Sequence, residues 1–164
     1  MQQKETFNPA QFADFSLCPA KGRILALDLG TKRVGIAVCD ESQTIVRAVK
    51  TIERTAWKKF LNQIINLIAD FDAVALVIGL PLESDGAESE MSQEARRLAR
   101  NFSLSLDIPV FLQDERLSSF EAKGRLWEMG FDNQEVYEKV DSEAAAIILE
   151  VFLEAKSVGS RQQQ

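Results

Sequence analysis

The segment RILALDLGTKRVGIAVCD, residues 23–40, contains the features that decide the fold. Its first part, residues 23–28, is a short apolar run that ends in Asp28 and is closed by Gly30. Two more strand patterns follow after tight turns, at residues 34–38 and 44–51. Three strands joined by turns this short predict an antiparallel meander.

Further along the chain, the spacing of apolar residues alternates between helical and strand periods. A helix is predicted from Thr55 to about residue 71, with Thr55 as its N-cap. The unbroken apolar run at residues 73–78 is typical of a strand buried on both faces of a parallel sheet. The remaining predicted elements are a helix at 91–106, a strand at 108–112 and helices at 118–129 and 141–156. This order predicts an α/β fold with a five-stranded mixed sheet, three antiparallel strands and then two parallel ones, and helices on both faces.

Length and composition fit one folded unit. A chain of 164 residues with 46% hydrophobic content can build a single core. We expect a flexible N-terminal extension at residues 1–22, one domain at residues 23–156 and a polar tail at residues 157–164. The apolar runs are far shorter than the roughly 20 residues of a membrane span, and no secretory signal is visible. The expected location is therefore the cytoplasm, without membrane contact.

The residue types present exclude several kinds of chemistry. The chain has no histidine, which excludes Ser–His and Cys–His nucleophile pairs and histidine metal sites. Cys18 and Cys39 lack CxxC spacing, so neither a disulfide framework nor a structural zinc site is indicated. The net charge of -6 argues against a protein that coats nucleic acid through overall positive potential, but it leaves room for a local basic groove.

Carboxylates lie where apolar elements begin or end. Asp28 ends the first strand, and Asp114 with Glu115 follows the fifth. Alternation along a strand allows only one of that second pair to point with Asp28, and the spacing leaves the choice open. Asp141 is predicted to begin the last helix on the face shared by Ala145, Ile148 and Phe152, which would turn it toward the sheet. Taken alone, each of these acidic residues has an ordinary structural explanation, such as a turn, an ion pair or an N-cap.

Together these acids predict a metal site at one edge of the sheet. Oxygen ligands select hard cations such as Mg²⁺ or Mn²⁺, and two such ions about 4 Å apart can hydrolyse a phosphodiester without histidine. Polar residues next to the acids could contact the phosphates of a nucleic acid, although each could equally be a solvated surface group; they are Thr31, Lys32, Arg33 and Arg116.

Four strings in this order resemble the YqgF/RuvX family: LDLGTKRVGIA at 27–37, IGLP at 78–81, DERLS at 114–118 and VDSEAA at 140–145. The resemblance covers about residues 23–156, and the first 22 residues have no counterpart in the family core. It implies an RNase H-like fold, kinship with the RuvC Holliday-junction resolvases and maturation of precursor 16S ribosomal RNA. It also implies a catalytic set of Asp28, Glu115 and Asp141 with Asp114 as neighbour, and some association with the ribosome.

Several alternatives stay open on sequence grounds. The substrate could be precursor ribosomal RNA or branched DNA, because both present the same scissile phosphate. The string DLGT at residues 28–31 also resembles the first phosphate motif of actin-like ATPases and sugar kinases, but those proteins need two such domains. A third reading is a non-catalytic ribosome-biogenesis factor. Whether the chain acts as a monomer or a homodimer is also open.

Overall fold

The computed structural model describes residues 8–116 and 118–162, with the backbone alone at residues 118, 119, 161 and 162. Within these residues the chain forms five strands and four α-helices. They are β1 (Arg23–Leu29), β2 (Arg33–Cys39), β3 (Val46–Glu53), α1 (Trp57–Phe71), β4 (Ala73–Leu80), α2 (Glu90–Ser105), β5 (Val110–Asp114), α3 (Ser118–Glu128) and α4 (Asn133–Gln162).

The strands form one mixed sheet in the order β3-β2-β1-β4-β5. The pairs β1–β2 and β2–β3 are antiparallel, whereas β1–β4 and β4–β5 are parallel. This arrangement confirms the predicted mixed sheet. Because β1, β4 and β5 run in the same direction, their carboxyl ends lie at one edge, which is where open α/β sheets collect ligands.

Helices cover both faces of the sheet. Helices α1 and α2 bury one face through a cluster of mainly large aliphatic and aromatic side chains. Helix α4 covers the other face through a second cluster, and α3 packs on α4 through a third. The predicted N-cap of α1 is wrong: Ala56 holds that position without a side-chain hydrogen bond, and the Thr55 hydroxyl instead lies 3.4 Å from Gln63 Oε1.

Helix α4 begins at Asn133 and not at Asp141. Asp132 caps its start, because its Oδ1 accepts a hydrogen bond from the Glu135 N–H at 2.8 Å. Val136 and Val140 extend the apolar stripe toward this start and pack against α3. The predicted linker before Asp141 is therefore helical. Asp141 lies inside the helix, so the predictions that it caps a helix and that it lies at a helix N-terminus are both wrong.

The described part of the N-terminal extension contacts the domain through Phe12 and Phe15. Two short 3₁₀ helices, Pro9–Ala13 and Phe15–Leu17, precede β1. Phe12 is 5% exposed within the core under α1 and α2, and the Phe15 ring centroid lies 5.4 Å from that of Phe152. These two aromatic rings anchor residues 8–22 to the domain; residues 1–7 lie outside the described residues, and the flexibility of the extension stays a prediction.

Candidate active site

Asp28 lies at the carboxyl end of the central strand β1 and is only 7% exposed. It shares its face of the strand with Ile24 and Ala26, which lie in the core under α4. Burial, and after it the negative charges of Glu115 and Asp141, together raise the pKa of the Asp28 carboxyl from 3.8 to about 8. The structure thus brings three of the four predicted acids within electrostatic reach of one another. Without a cation, Asp28 is mostly protonated at neutral pH.

Gly35 explains how α4 reaches Asp28. In the antiparallel pair β1–β2, Gly35 lies directly opposite Asp28. A Cβ atom at Gly35 would come within 1.9 Å of the Asp141 carbonyl oxygen and 2.7 Å of the Ser142 nitrogen. The helix backbone therefore rests on the strand where a side chain is missing. This contact places Asp141 beside Asp28 although it lies within a helix.

Gly79 has a similar role on the other side of Asp28. Leu27 pairs with Ile78 in the parallel pair β1–β4, so Gly79 is the next residue on the strand beside Asp28. A Cβ atom at Gly79 would lie 2.9 Å from Cγ of Glu115. Gly79 thus leaves the space through which the Glu115 side chain crosses β4 toward Asp28.

The choice between Asp114 and Glu115 follows from alternation along β5. Val110 belongs to the core under α1 and α2, whereas Phe111 belongs to the core under α4. Asp114 therefore projects with Val110, and Glu115 projects with Phe111 onto the face that holds Asp28. Asp114 instead pairs with Arg116, with 2.9 Å between Oδ2 and Nη2. Asp114 does not contribute to the raised pKa of Asp28.

Arg33 contacts the acidic site from the start of β2. Its Nη2 lies 3.0 Å from Oδ2 of Asp141, and its Cζ lies 4.4 Å from the ring centroid of Tyr137. The Asp141 oxygen is buried and is within ion-pair distance of Arg33, but it accepts no hydrogen bond from the described residues. A buried carboxylate oxygen without a hydrogen bond is costly, so a bound ligand there would be stabilising.

In this conformation the acids do not form a ready metal cage. Among residues 8–116 and 118–162, no three His, Cys, Asp or Glu side chains are grouped so as to hold a metal ion. Glu115 and Asp141 nevertheless raise the pKa of Asp28, so their charges act on its carboxyl. Both observations hold because Coulomb interactions act well beyond coordination distances of about 2.0 to 2.6 Å.

The other predicted substrate-binding residues lie around this edge. Thr31 and Lys32 are exposed in the turn between β1 and β2, directly after the strand that carries Asp28. Arg116 lies beyond β5, where Asp114 holds its guanidinium and the Ser84 carbonyl lies 3.4 Å from its Nη1. Their contact with a substrate stays a prediction.

Gly35 and Gly79 are not among the residues that the sequence predicts for the site. Both occur inside strand patterns, at residues 34–38 and next to residues 73–78. A glycine inside a strand often marks a close approach of another backbone or side chain, so this signal was present in the sequence. What approaches each glycine could not be read from local spacing.

Comparison with known proteins assigns the chain to a family. A family model described as "RuvX: Holliday junction resolvase" matches residues 22–155. The chain is a member of the RuvX family. A protein of Anaeromyxobacter sp. (strain K), provisionally named a pre-16S rRNA nuclease, is 42% identical over 135 residues, which cover 82% of this RuvX chain and 98% of that protein. A protein of Novosphingobium aromaticivorans with the same name is 40% identical over 134 residues, covering 82% of this chain and 86% of the relative.

A solved structure shares the fold of this RuvX chain. Thermus thermophilus RuvC, in complex with a Holliday junction substrate, matches with a TM-score of 0.51 and 14% identity, over 82% of this chain and 96% of that one. The likeness confirms the predicted RNase H-like fold. Family membership and the names of the relatives confirm the predicted class of enzyme, a nuclease. Every helix within the described residues is too short or too polar to cross a lipid bilayer.

Proposed function

We propose that this chain is a divalent-metal-dependent endonuclease that cuts precursor 16S ribosomal RNA at the site formed by Asp28, Glu115 and Asp141. The buried Asp28, whose pKa is raised by burial and by the other two carboxylates, carries the proposal. Structural ion pairs lower the pKa of a carboxyl, whereas a carboxyl whose pKa is raised by burial and by neighbouring acids is typical of a functional site.

The donor atoms fit Mg²⁺ or Mn²⁺. Asp28, Glu115 and Asp141 offer only oxygen, which hard cations prefer. A cation would relieve the repulsion that raises the pKa of Asp28 and would use the buried Asp141 oxygen that lacks a hydrogen bond. Since these side chains are not grouped as a finished site, binding requires them to rotate and Asp28 to lose its proton.

Each group has a distinct part in the proposed reaction. Bound metal ions would supply an activated water and stabilise the leaving oxygen of the phosphodiester. Arg33, Thr31 and Lys32 lie beside the acids, where they would orient the phosphates on either side of the bond that is cut. Arg116 would do the same from the end of β5, with Asp114 holding its guanidinium in place.

Precursor 16S ribosomal RNA is the favoured substrate because relatives that align over most of the chain carry that name. The proposal also implies a cytoplasmic location and contact with ribosomal precursor particles. The description of the family model and the RuvC-like fold favour a second candidate, cleavage of Holliday junctions.

The decisive experiment offers both substrates to the same protein. Purified protein is incubated with a precursor 16S rRNA fragment or a four-way DNA junction, with Mg²⁺, Mn²⁺ or EDTA. We expect metal-dependent cuts in the RNA, and their loss in Asp28→Asn and Glu115→Gln. Asp114→Asn is the matched control for the catalytic role, since it removes a neighbouring carboxylate that projects to the other face; it should retain kcat, whereas KM rises if Arg116 loses its orientation.

Other outcomes select the alternatives. Cuts in the junction alone would replace the RNA assignment with the resolvase. Equal cleavage by Asp28→Asn would point to a contaminating nuclease, and absence of all cleavage would favour the non-catalytic factor. A thermal shift with ATP but none with oligonucleotides would favour the nucleotide-binding module.

A further inference from the structure

A depression between α3 and α4 adjoins the acidic site. It has a volume of about 360 Å³, and we call it the aromatic depression. The residues that line it are Arg33, Lys123, Trp127, Asn133, Val136, Tyr137 and Val140. The lining thus combines two aromatic rings with two cations and contains no carboxylate, although the chain as a whole carries a net charge of -6.

The two rings of the aromatic depression are both exposed and held in place. Trp127 is 52% exposed and Tyr137 is 62% exposed. The indole N–H of Trp127 donates to Asn133 Oδ1 at 3.2 Å, and the Arg33 guanidinium stacks on Tyr137 with 4.4 Å from Cζ to the ring centroid. A single exposed apolar residue is common on protein surfaces. Two exposed aromatic rings that share one depression with two cations indicate a binding site.

The aromatic depression adjoins the acidic site through Arg33. Arg33 contacts both the Tyr137 ring and the Asp141 carboxylate, so it joins the two sites. Tyr137 and Asp141 are four residues apart on α4, a rise of about 6 Å. That distance corresponds to one or two nucleotides, at roughly 3.4 Å per nucleotide of stacked strand.

We propose that the aromatic depression binds unpaired nucleobases next to the scissile phosphate, so that the enzyme selects a single-stranded segment over a duplex. The inference rests on the proposed nuclease site. Aromatic rings beside cations are the means by which proteins bind single strands, because unpaired bases expose their faces for stacking, whereas a duplex hides them. Lys123 and Arg33 would neutralise the phosphates between the stacked bases.

The test separates stacking from catalysis by measuring binding without metal. Protein carrying Asp28→Asn is titrated in EDTA with a fluorescent single-stranded 12-mer RNA, with the same RNA in a duplex, and with a 12-mer that lacks bases at its central positions. Trp127→Ala and Tyr137→Ala should each weaken binding of the single strand roughly 5- to 150-fold, as expected for the loss of one base stack. Binding of the duplex and the base-free strand should change less than about twofold.

Control variants keep the test independent of folding. Tyr137→Phe keeps the ring and should bind like the parent, and Trp127→Phe should retain most of the affinity. Leu104→Ala removes another exposed apolar side chain, on α2 at the opposite face of the sheet, and should have no effect. Thermal melting of each variant checks that α3 and α4 stay folded.

Three results would overturn the inference. The first is an unchanged affinity of both alanine variants for the single strand. The second is equal weakening of single-strand and duplex binding. The third is a loss of protein self-association in Trp127→Ala without RNA, which would make the surface an interface between copies of the chain. Failure of the nuclease proposal gives a different result. Cleavage would then be absent, but the alanine substitutions would still weaken binding of the single strand more than binding of the duplex.

Discussion

The two faces of the sheet are built from side chains of different size. On the face under α1 and α2, the three central strands present large aliphatic residues, among them Leu25, Leu27, Val34, Ile36, Leu76 and Ile78. We call this the large-residue face. On the small-residue face, under α4, the same strands present Ile24 and Val77 but otherwise small residues, namely Ala26, Ala37, Cys39 and Ala75, with Gly35 and Gly79 on either side of Asp28.

This difference separates stability from function. Each fully buried Leu or Ile on the large-residue face contributes roughly 1.5 to 3 kcal/mol. The small-residue face buries less area per residue, but it lets the α4 backbone contact β2 at Gly35. This close approach of α4 to β2 places Asp141 beside Asp28, so the small-residue face positions the acids. Substitutions on the two faces should therefore affect different measurements.

Among substitutions that leave Asp28, Glu115 and Asp141 in place, Gly35→Ala should have the largest effect on activity. The new methyl group would lie 1.9 Å from the Asp141 carbonyl oxygen, and backbone cannot move aside as a flexible side chain can. Displacing α4 by about 1 Å should lower kcat at least 100-fold, and the overpacking should lower the melting temperature as well. Nuclease assays and thermal melting measure the two effects. Wild-type kcat would show that Gly35 does not position Asp141.

Leu76→Ala should show the opposite pattern. Leu76 is fully buried on the large-residue face, so its truncation should lower the free energy of unfolding by about 2 to 5 kcal/mol. The activity of the molecules that remain folded should stay within about twofold, because the small-residue face is intact. Urea unfolding and kcat per folded molecule test this. A large drop in kcat with little change in the free energy of unfolding would contradict the assignment of stability to the large-residue face.

Asp28→Asn should stabilise the protein in a pH-dependent manner. The folded-state pKa of about 8 lies above the ordinary 3.8, so between these values the folded protein holds a proton that the unfolded chain has released. Wild-type stability should therefore fall as pH rises from about 4 to 8, whereas this contribution is absent in the Asn variant. The advantage of the variant should reach a few kcal/mol near pH 8 in EDTA.

Melting curves at several pH values, with and without Mn²⁺, measure this advantage. Adding Mn²⁺ should narrow the gap by stabilising the wild type, because the ion binds its ionised carboxylates. A stability difference that stays constant from pH 4 to 8 would contradict the raised pKa of Asp28.

Gly79→Ala should have a smaller effect than Gly35→Ala. Its methyl group would meet only side-chain atoms, Ile148 Cδ1 at 2.6 Å and Glu115 Cγ at 2.9 Å, and both can shift. We expect about a tenfold loss of kcat from displaced Glu115. The metal concentration for half-maximal activity should rise as well, which a general loss of stability would not cause. A loss of kcat as large as that of Gly35→Ala would contradict this difference, because it would mean that a methyl group against side-chain atoms lowers activity as much as one against backbone atoms.

Asp114→Asn should have the smallest effect. Its carboxylate projects toward the large-residue face and is 40% exposed in its pair with Arg116, so its removal should change kcat less than about threefold. An increase in KM would fit the loss of Arg116 orientation, and steady-state kinetics separates the two parameters. A loss of kcat like that of Glu115→Gln would reverse the assignment of faces at the end of β5.

Features that depend on neighbouring residues could be predicted from the sequence, whereas those that depend on distant contacts could not. The antiparallel and parallel strands were predicted correctly, because strand periodicity and turn length are local properties. The start of α4 was wrong, because the stripe of Val136 and Val140 faces α3 and not the sheet, and only that contact makes residues 133–140 an obvious helix. Alternation showed that Asp114 and Glu115 point to opposite faces, but the packing of Phe111 under α4 was needed to tell which face holds Asp28.

By itself, the sequence determined the five strands, the absence of histidine chemistry and the strand ends where acids occur, because these depend on neighbouring residues and on composition. The tertiary structure alone decided that Glu115 and not Asp114 joins Asp28, that Asp141 does so from within a helix, and that Gly35 and Gly79 make room for both. These contacts join residues far apart in the chain, and whether a missing side chain creates a close approach depends on what the fold places against it.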